Sequence, residues 1–421
     1  MKKVIVILMA IAILMGLAAC TSAPQTDASA QGTTATETKQ TQQTDTKDTS
    51  AGTSSAKPLV IGTSQPLSGT NAAIGQEQIN GAMLAIKQIN ERGGLNGQQV
   101  ELISYDDQGI PEEAVKITSK LVEVDKVDLI MGSLISSNML ACGNYINENK
   151  ILCIGTGLSN TWMEQGWEYV WRACVNNGAT MPVLAQKVYD MGVRSVGVLH
   201  GQDDANASAF KAFADKAESL GMTISTEETY VEGDSDFSGQ IAKILNTNPD
   251  AVLMSSHSSA QGSFIKQLRA LGYTGLALCK EPFTIEAIDL AGSASDNVAF
   301  IYPYVTYASI DDCDNPQMKQ FLEEYVAEFG YLPTHDCAYR GYDTISVLAA
   351  AAEKAGSNKS DDIIEALKTI DHFEALVGTL DYTVGDREGL HGDINGFIVQ
   401  DNKYVDLDSW IADGGYDKLN Q

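Results

Sequence analysis

Leu59-Val60-Ile61-Gly62-Thr63-Ser64-Gln65-Pro66-Leu67-Ser68-Gly69 changes character halfway along. Its first four residues are apolar or glycine without polar alternation and read as a strand, and Gln65 to Gly69 read as a turn. From Gly75 to Arg92 the pattern becomes helical, with Ile79, Met83, Ile86 and Ile89 on one face, until Gly93-Gly94 stops it. This strand, polar turn and helix form one βα unit, and the chain repeats it. Strands are expected at 100–104, 127–132 and 151–155, and a helix starting at Pro111 turns Ala114, Ile117 and Leu121 inward. After Arg172-Ala173-Cys174 the cycle restarts, with helices at 181–191, 207–220, 238–245 and 261–271 around strands at 195–199, 223–226 and 251–254. Such alternation implies right-handed βαβ units and parallel sheets. Strands that are apolar throughout imply helices on both sheet faces. The expected fold class is therefore α/β, with two doubly wound parallel-sheet lobes. Near Phe300 the texture changes: Ile301 to Val305 read as a crossing strand, helices follow at 316–329, 339–355 and 361–370, and the tail 376–406 is β-rich with Gly385-Asp386 and Gly392-Asp393 turns.

The N-terminus points to a compartment. Lys2 and Lys3 precede an apolar run from Val4 to Ala19, shorter than the roughly 20 residues a spanning helix needs. A charged start, a short apolar stretch and small residues at its end describe an export signal over 1–19. The ending Leu17-Ala18-Ala19-Cys20 resembles the lipobox of bacterial lipoproteins, which implies that Cys20 is lipidated and becomes the mature N-terminus. An ordinary cleaved signal with an incidental cysteine is the alternative. Residues 21–57 carry no aromatic residue and no Leu, Ile, Val, Phe or Met. They cannot bury enough apolar surface to offset ordering, so a disordered tether reaching roughly 30–35 Å is expected. Acyl chains would hold the protein on the extracytoplasmic face of the cell membrane, its one contact with the bilayer.

Composition narrows the function. The head of about 360 residues exceeds what one core usually serves, so two domains are expected. A formal charge of −27 argues against nucleic acid, whose phosphates it repels. Cys142, Cys153, Cys174, Cys279, Cys313 and Cys337 form no CxxC pair, and the five histidines show no metal-ligand spacing. Neither metal nor cofactor is expected. Cys313 and Cys337 flank one helix and either meet as a disulfide or stay free. GxGxxG after the first strand, GxxxxGK[ST], GxSxG and HExxH are all missing, so no enzyme is expected.

Ligands of doubly wound sheets sit beyond the carboxyl ends of the strands. Here those ends read Ser133-Leu134-Ile135-Ser136-Ser137-Asn138, Gly155-Thr156-Gly157-Leu158-Ser159-Asn160, His200-Gly201-Gln202-Asp203-Asp204, Ser255-Ser256-His257-Ser258-Ser259 and Cys279-Lys280-Glu281-Pro282. Hydroxyls and open N–H groups at helix starts suit a carboxylate, and a lone acid suits an ammonium. Together they suit a zwitterion such as an amino acid. Each also has a plainer reading: Ser and Asn as N-caps, Glu281 as a first-turn acid, His257 as a loop residue. Asp106-Asp107 and Asp203-Asp204 read as loop residues.

The order of Ile61-Gly62, Pro66-Leu67-Ser68-Gly69, Asn80-Gly81-Ala82, Gly93-Gly94-Leu95-Asn96-Gly97, Tyr105-Asp106-Asp107, Asp236-Phe237-Ser238 and Gly341-Tyr342-Asp343 resembles one family. It is that of branched-chain amino acid (Leu/Ile/Val) ABC-transporter binding proteins, of the type I periplasmic-binding fold. The resemblance covers 58 to about 406 and implies two lobes joined by three crossovers, near 174–178, 301–306 and 376–380. The lobes would be 58–176 with 304–377 and 177–303 with 378–421, closing on a small molecule as a hinged clamp. A monomer delivering its ligand to an ABC permease is implied; a sensor feeding a signalling partner is the other reading. The ligand carboxylate would meet Ser136, Ser159 and the backbone of Gly157, and its ammonium Glu281. Ile74, Ala205-Asn206 and His257 stand where relatives carry aromatic residues, so the side-chain pocket is altered. The family's cysteine pair is replaced by Gly109 and Ile135.

Overall fold

The computed structural model describes residues 57–391 and 394–419. The export signal, Cys20, the tether to residue 56 and the Gly392-Asp393 turn lie outside the described residues. The first lobe begins with β1 (Leu59–Gln65), α1 (Ala72–Glu91), β2 (Val100–Asp106), α2 (Pro111–Lys120), β3 (Leu129–Met131), α3 (Ser136–Glu148), β4 (Cys153–Gly155) and β5 (Val170–Arg172). Its sheet is parallel throughout, in the order β2-β1-β3-β4-β5. The order reverses beside β1, which opens a crevice at the strands' carboxyl ends.

The chain then passes through 173–176 into α4 (Asn177–Asp190), β6 (Ser195–Gly201), α5 (Asp204–Leu220), β7 (Thr223–Tyr230), α6 (Ser238–Leu245), β8 (Ala251–Ser255), α7 (Ser258–Ala270), β9 (Leu276–Cys279), α8 (Ile285–Ala291) and β10 (Val298–Tyr302). It returns to the first lobe for α9 (Pro316–Phe329), α10 (Cys337–Ala355), α11 (Ser360–Leu367) and the hairpin β11 (Phe373–Ala375) with β12 (Gly378–Leu380). Strands β13 (Asn395–Gln400) and β14 (Lys403–Asp406) and helices α12 (Leu407–Ala412) and α13 (Gly415–Leu419) complete the second lobe. Its sheet runs β14-β13-β10-β9-β8-β6-β7, and only β13, antiparallel to both β10 and β14, departs from parallel pairing. Strands β8, β9 and β10 are wholly buried, as expected of strands with helices on both faces.

Helices α1 and α10 touch backbone to backbone. A β-carbon at Gly341 would stand 2.1 Å from Gln78 O, so only glycine permits the approach. This contact also rotates α1: Ala82 and Ala85 face inward, and Met83, expected among the core residues, is 48% exposed.

Several elements differ from expectation. Ile301 belongs to β10 and pairs across the sheet, and the crossing segment begins at Pro303. Helix α5 starts three residues before the expected 207, because Asp203 Oδ1 accepts from Asn206 N at 3.1 Å and caps it. The third passage lies beyond the expected 376–380. Asp343 holds the N–H groups of Leu376 and Val377, each at 2.9 Å, and β5 holds the chain further on. Arg172 N donates to Arg387 O at 3.0 Å and Gly389 N to Arg172 O at 3.1 Å, so the chain stays on the first lobe's sheet edge to Gly389. All six described cysteines are free and buried, Cys313 and Cys337 included.

Candidate ligand-binding site

The carboxyl ends of β3 and β4 meet those of β6, β8 and β9 across a cleft. Between them lies a narrow cavity. Ile74, Leu134 and Leu158 line it from the first lobe with Arg340, and Ala205, His257, Ser258 and Glu281 from the second. Thr161 Oγ1 donates to Asp204 Oδ2 across the cleft at 2.6 Å, and His335 Nε2 stands 3.4 Å from Glu286 Oε2. The lobes are thus drawn together.

On the first lobe the structure brings Ser136, Gly157 and Ser159 into contact. Ser136 opens α3, which has no side-chain cap, so its first-turn N–H groups leave a partial positive charge at the cleft. Ser136 Oγ accepts from Ser159 N at 3.1 Å. A β-carbon at Gly157 would stand 2.8 Å from that oxygen, which is why the position takes glycine. Arg172, buried under the site, donates to Ser159 O and fixes this turn.

Arg340 was not anticipated from the sequence. Its Nε donates to Asp336 Oδ2 at 2.6 Å and its Nη1 to Thr156 O at 3.3 Å. Tyr302 and Tyr304 donate to the same Asp336 oxygen at 3.2 Å and 2.9 Å. The available signal was one arginine in the otherwise apolar turn Cys337-Ala338-Tyr339-Arg340-Gly341, where an unpaired charge would be costly to bury.

The second lobe presents alternating charges. His257 Nε2 lies 3.6 Å from Asp203 Oδ1, and its Nδ1 lies 3.7 Å from Glu281 Oε1. Lys280 Nζ, with no solvent exposure, stands 2.7 Å from Glu281 Oε1 as an ion contact rather than a directed hydrogen bond. Burial alone would lower the His257 pKa, but the Asp203 and Glu281 carboxylates outweigh it and raise it to about 10. Burial opposes ionisation of Glu281, yet Lys280, His257 and Arg340 hold it well below the usual carboxylate range. Asp203 is likewise lowered: His257, Lys280 and the Asn206 N–H overcome its burial.

Asp203 is therefore no bystander of a loop, as the sequence suggested: the Oδ1 that caps α5 also faces His257, and its Oδ2 accepts from Asn206 Nδ2. Donor atoms of Asp203, Glu232 and His257 lie within 4.8 Å of one another. Such a trio has the composition of a metal set, but His257 is held as a cation, and an ion would have to displace that proton. Glu232 was missed because it follows a polar strand, β7, with no pattern of its own.

Residues 58–400 match the family model described as "Periplasmic binding protein". The chain belongs to the periplasmic binding protein family. A relative named Leu/Ile/Val-binding protein homolog 3, from Brucella melitensis, is 28% identical over 83% of this chain and 94% of its own length. The leucine-, isoleucine-, valine-, threonine- and alanine-binding protein of Pseudomonas aeruginosa is 25% identical over 78% of this chain and 86% of its own. Two solved structures share the fold. One is the branched-chain amino acid transporter substrate binding protein LivJ of Streptococcus pneumoniae, in complex with isoleucine. It has a TM-score of 0.73 at 23% identity and covers 82% of this chain and 97% of its own. The other, an ABC transporter solute binding protein of Rhodopseudomonas palustris with 3,4-dihydroxy benzoic acid, has a TM-score of 0.74 at 22% identity, over 83% and 96%. This periplasmic binding protein is thus a solute binder of the type I fold and not an enzyme. Among its described residues no helix is long and apolar enough to cross a membrane.

Proposed function

We propose that the protein is the lipid-anchored, extracytoplasmic receptor of an ABC importer, and that it clamps an amino acid or similar small zwitterion between its lobes. One observation carries the reading. The uncapped start of α3, with Ser136, Gly157 and Ser159, lies next to Leu134 and Leu158 of one cavity wall, and the ionised Glu281 lines the cavity from the other lobe. The first suits a carboxylate and the second an ammonium, so a zwitterion spanning the cleft is held best when the lobes are closed. Differential affinity of that kind shifts the population from open to closed, and the closed form is what the permease would engage. Leu17-Ala18-Ala19-Cys20 supports the anchor.

A thermal-shift screen of amino acids tests the reading, since a tight ligand raises the melting temperature by mass action. If no amino acid, amide or short peptide raises it, the zwitterion assignment fails. Replacing Glu281 with Gln removes a charge-assisted hydrogen bond and is expected to weaken an amino acid roughly 10- to 100-fold in titration calorimetry. Fatty-acid labelling that survives Cys20→Ala would sink the anchor assignment.

A further inference from the structure

The second lobe's wall holds more negative charge than its own cations cancel. Asp203, Glu232 and Glu281 converge on only His257 and Lys280. Across the cleft Arg340 also bears on Glu281, but its charge is matched by Asp336, so the wall stays net negative. Burying unequal charge is costly unless something pairs with it.

The unpaired atoms gather on the same side. Glu232 Oε2 is inaccessible to solvent and has no hydrogen-bond partner among the described residues. Neither has the hydroxyl of Tyr230, a residue 2% exposed, which lies within the electrostatic reach of Glu232, Asp203 and Glu281. Ser256 Oγ, wholly buried, lies beside that hydroxyl, and the pair is poorly satisfied rather than fully matched. A buried polar atom without a partner is rare in a folded protein, and several at one site call for a group that satisfies them together. An ordinary apolar side chain would leave the Glu232 oxygen orphaned.

Resting on the zwitterion reading above, we infer that Glu232 and Asp203, with the Tyr230 hydroxyl, form a cation subsite that takes the side-chain nitrogen of a basic amino acid. One ammonium or guanidinium supplies both the missing positive charge and several N–H donors. Ile74, Leu134 and Leu158 offer apolar surface for the methylene stem that connects it to the head group. His257 then stands between Asp203 and Glu281, and Glu232 is left to receive the cation.

Titration calorimetry of the full chain in detergent with L-lysine, L-arginine, L-leucine and the diamine cadaverine tests the subsite. The expected result is that a basic amino acid binds at least about tenfold more tightly than L-leucine, and that Glu232→Gln erases this preference while keeping the melting temperature. L-leucine binding as tightly as the basic amino acids overturns the subsite and leaves the zwitterion reading standing. So does a basic ligand indifferent to Glu232→Gln. Cadaverine binding that depends on Glu232, with no amino acid bound, keeps the subsite and overturns the zwitterion reading. Binding of zinc alone that displaces L-lysine and is lost in Glu232→Gln replaces the organic cation by a metal, and so overturns the inference.

Discussion

A β-carbon placed on Gly81 would stand 1.8 Å from the carbonyl oxygen of Ala338. That oxygen is backbone, so the clash cannot be relieved by rotating a side chain. The helices α1 and α10 that meet here carry Ile74 and Arg340, both lining the cavity. The close contact therefore positions one wall of the site.

Gly81→Ala is accordingly expected to push the two helices apart. The cost should reach or exceed the about 1–3 kcal/mol typical of overpacking. Urea denaturation measures it. The same substitution at Gly239, which has open space around it and an ordinary helical backbone, should be neutral or mildly stabilising.

The Arg340–Asp336 pair is buried on both sides, each side chain about 3% exposed. Removing one partner leaves a charge with no compensation. Arg340→Met is expected to cost about 3–5 kcal/mol, and the double variant with Asp336→Asn to recover much of it. A double-mutant cycle in which the two effects simply add would show that the pair is not coupled.

Asp343 makes stability depend on pH. Burial raises its carboxyl to about 7 against the opposing pull of the Leu376 and Val377 N–H groups. The folded chain therefore binds a proton more readily than the unfolded chain between roughly pH 4 and 7. The sign follows: this group favours the folded state most at low pH, and that advantage declines as pH rises through about 7. About three units correspond to about 4 kcal/mol at most. In Asp343→Asn this component should vanish, so comparing urea midpoints of the two proteins at pH 5 and pH 8 isolates it. A parallel pH dependence in both would contradict the assignment.

How far the sequence carried depended on the range of the interaction. The βα repeat was legible because helical spacing and apolar strands are local patterns, as in Ile79, Ile86 and Ile89. Short strand β5 was not, since Val170-Trp171-Arg172 is only three residues long and gets its strand character from pairing with β4. Helix α3 was missed for another reason: Ser136-Ser137-Asn138 reads as the end of a strand, and the polar, glycine-containing stretch behind it has a weak helical pattern. In the site, Ser136, Ser159, His257 and Glu281 stood at strand ends and could be singled out. Their partners could not. Asp203 and Glu281 are brought to His257 from β6 and β9, neighbours of β8 in space but far from it in sequence.

His257 supplies the last prediction. Its imidazole is squeezed between two carboxylates, and its pKa of about 10 lies above the ordinary histidine value of about 6.5. For a raised histidine the stabilising contribution is complete below the unfolded pKa and is lost as pH climbs through the folded one. The window here is therefore about pH 6.5 to 10. Stability should fall across it, and in His257→Gln the fall should be shallower, because glutamine has no proton to lose. Affinity for a ligand that stays cationic should rise in the same window, since deprotonated His257 no longer offsets Asp203 and Glu281 and the wall draws the ligand's positive nitrogen more strongly. Thermal melts and calorimetric titrations at pH 7 and pH 9.5 check both. If wild type and His257→Gln change alike between those two values, His257 is not the cation that holds Asp203 and Glu281 ionised.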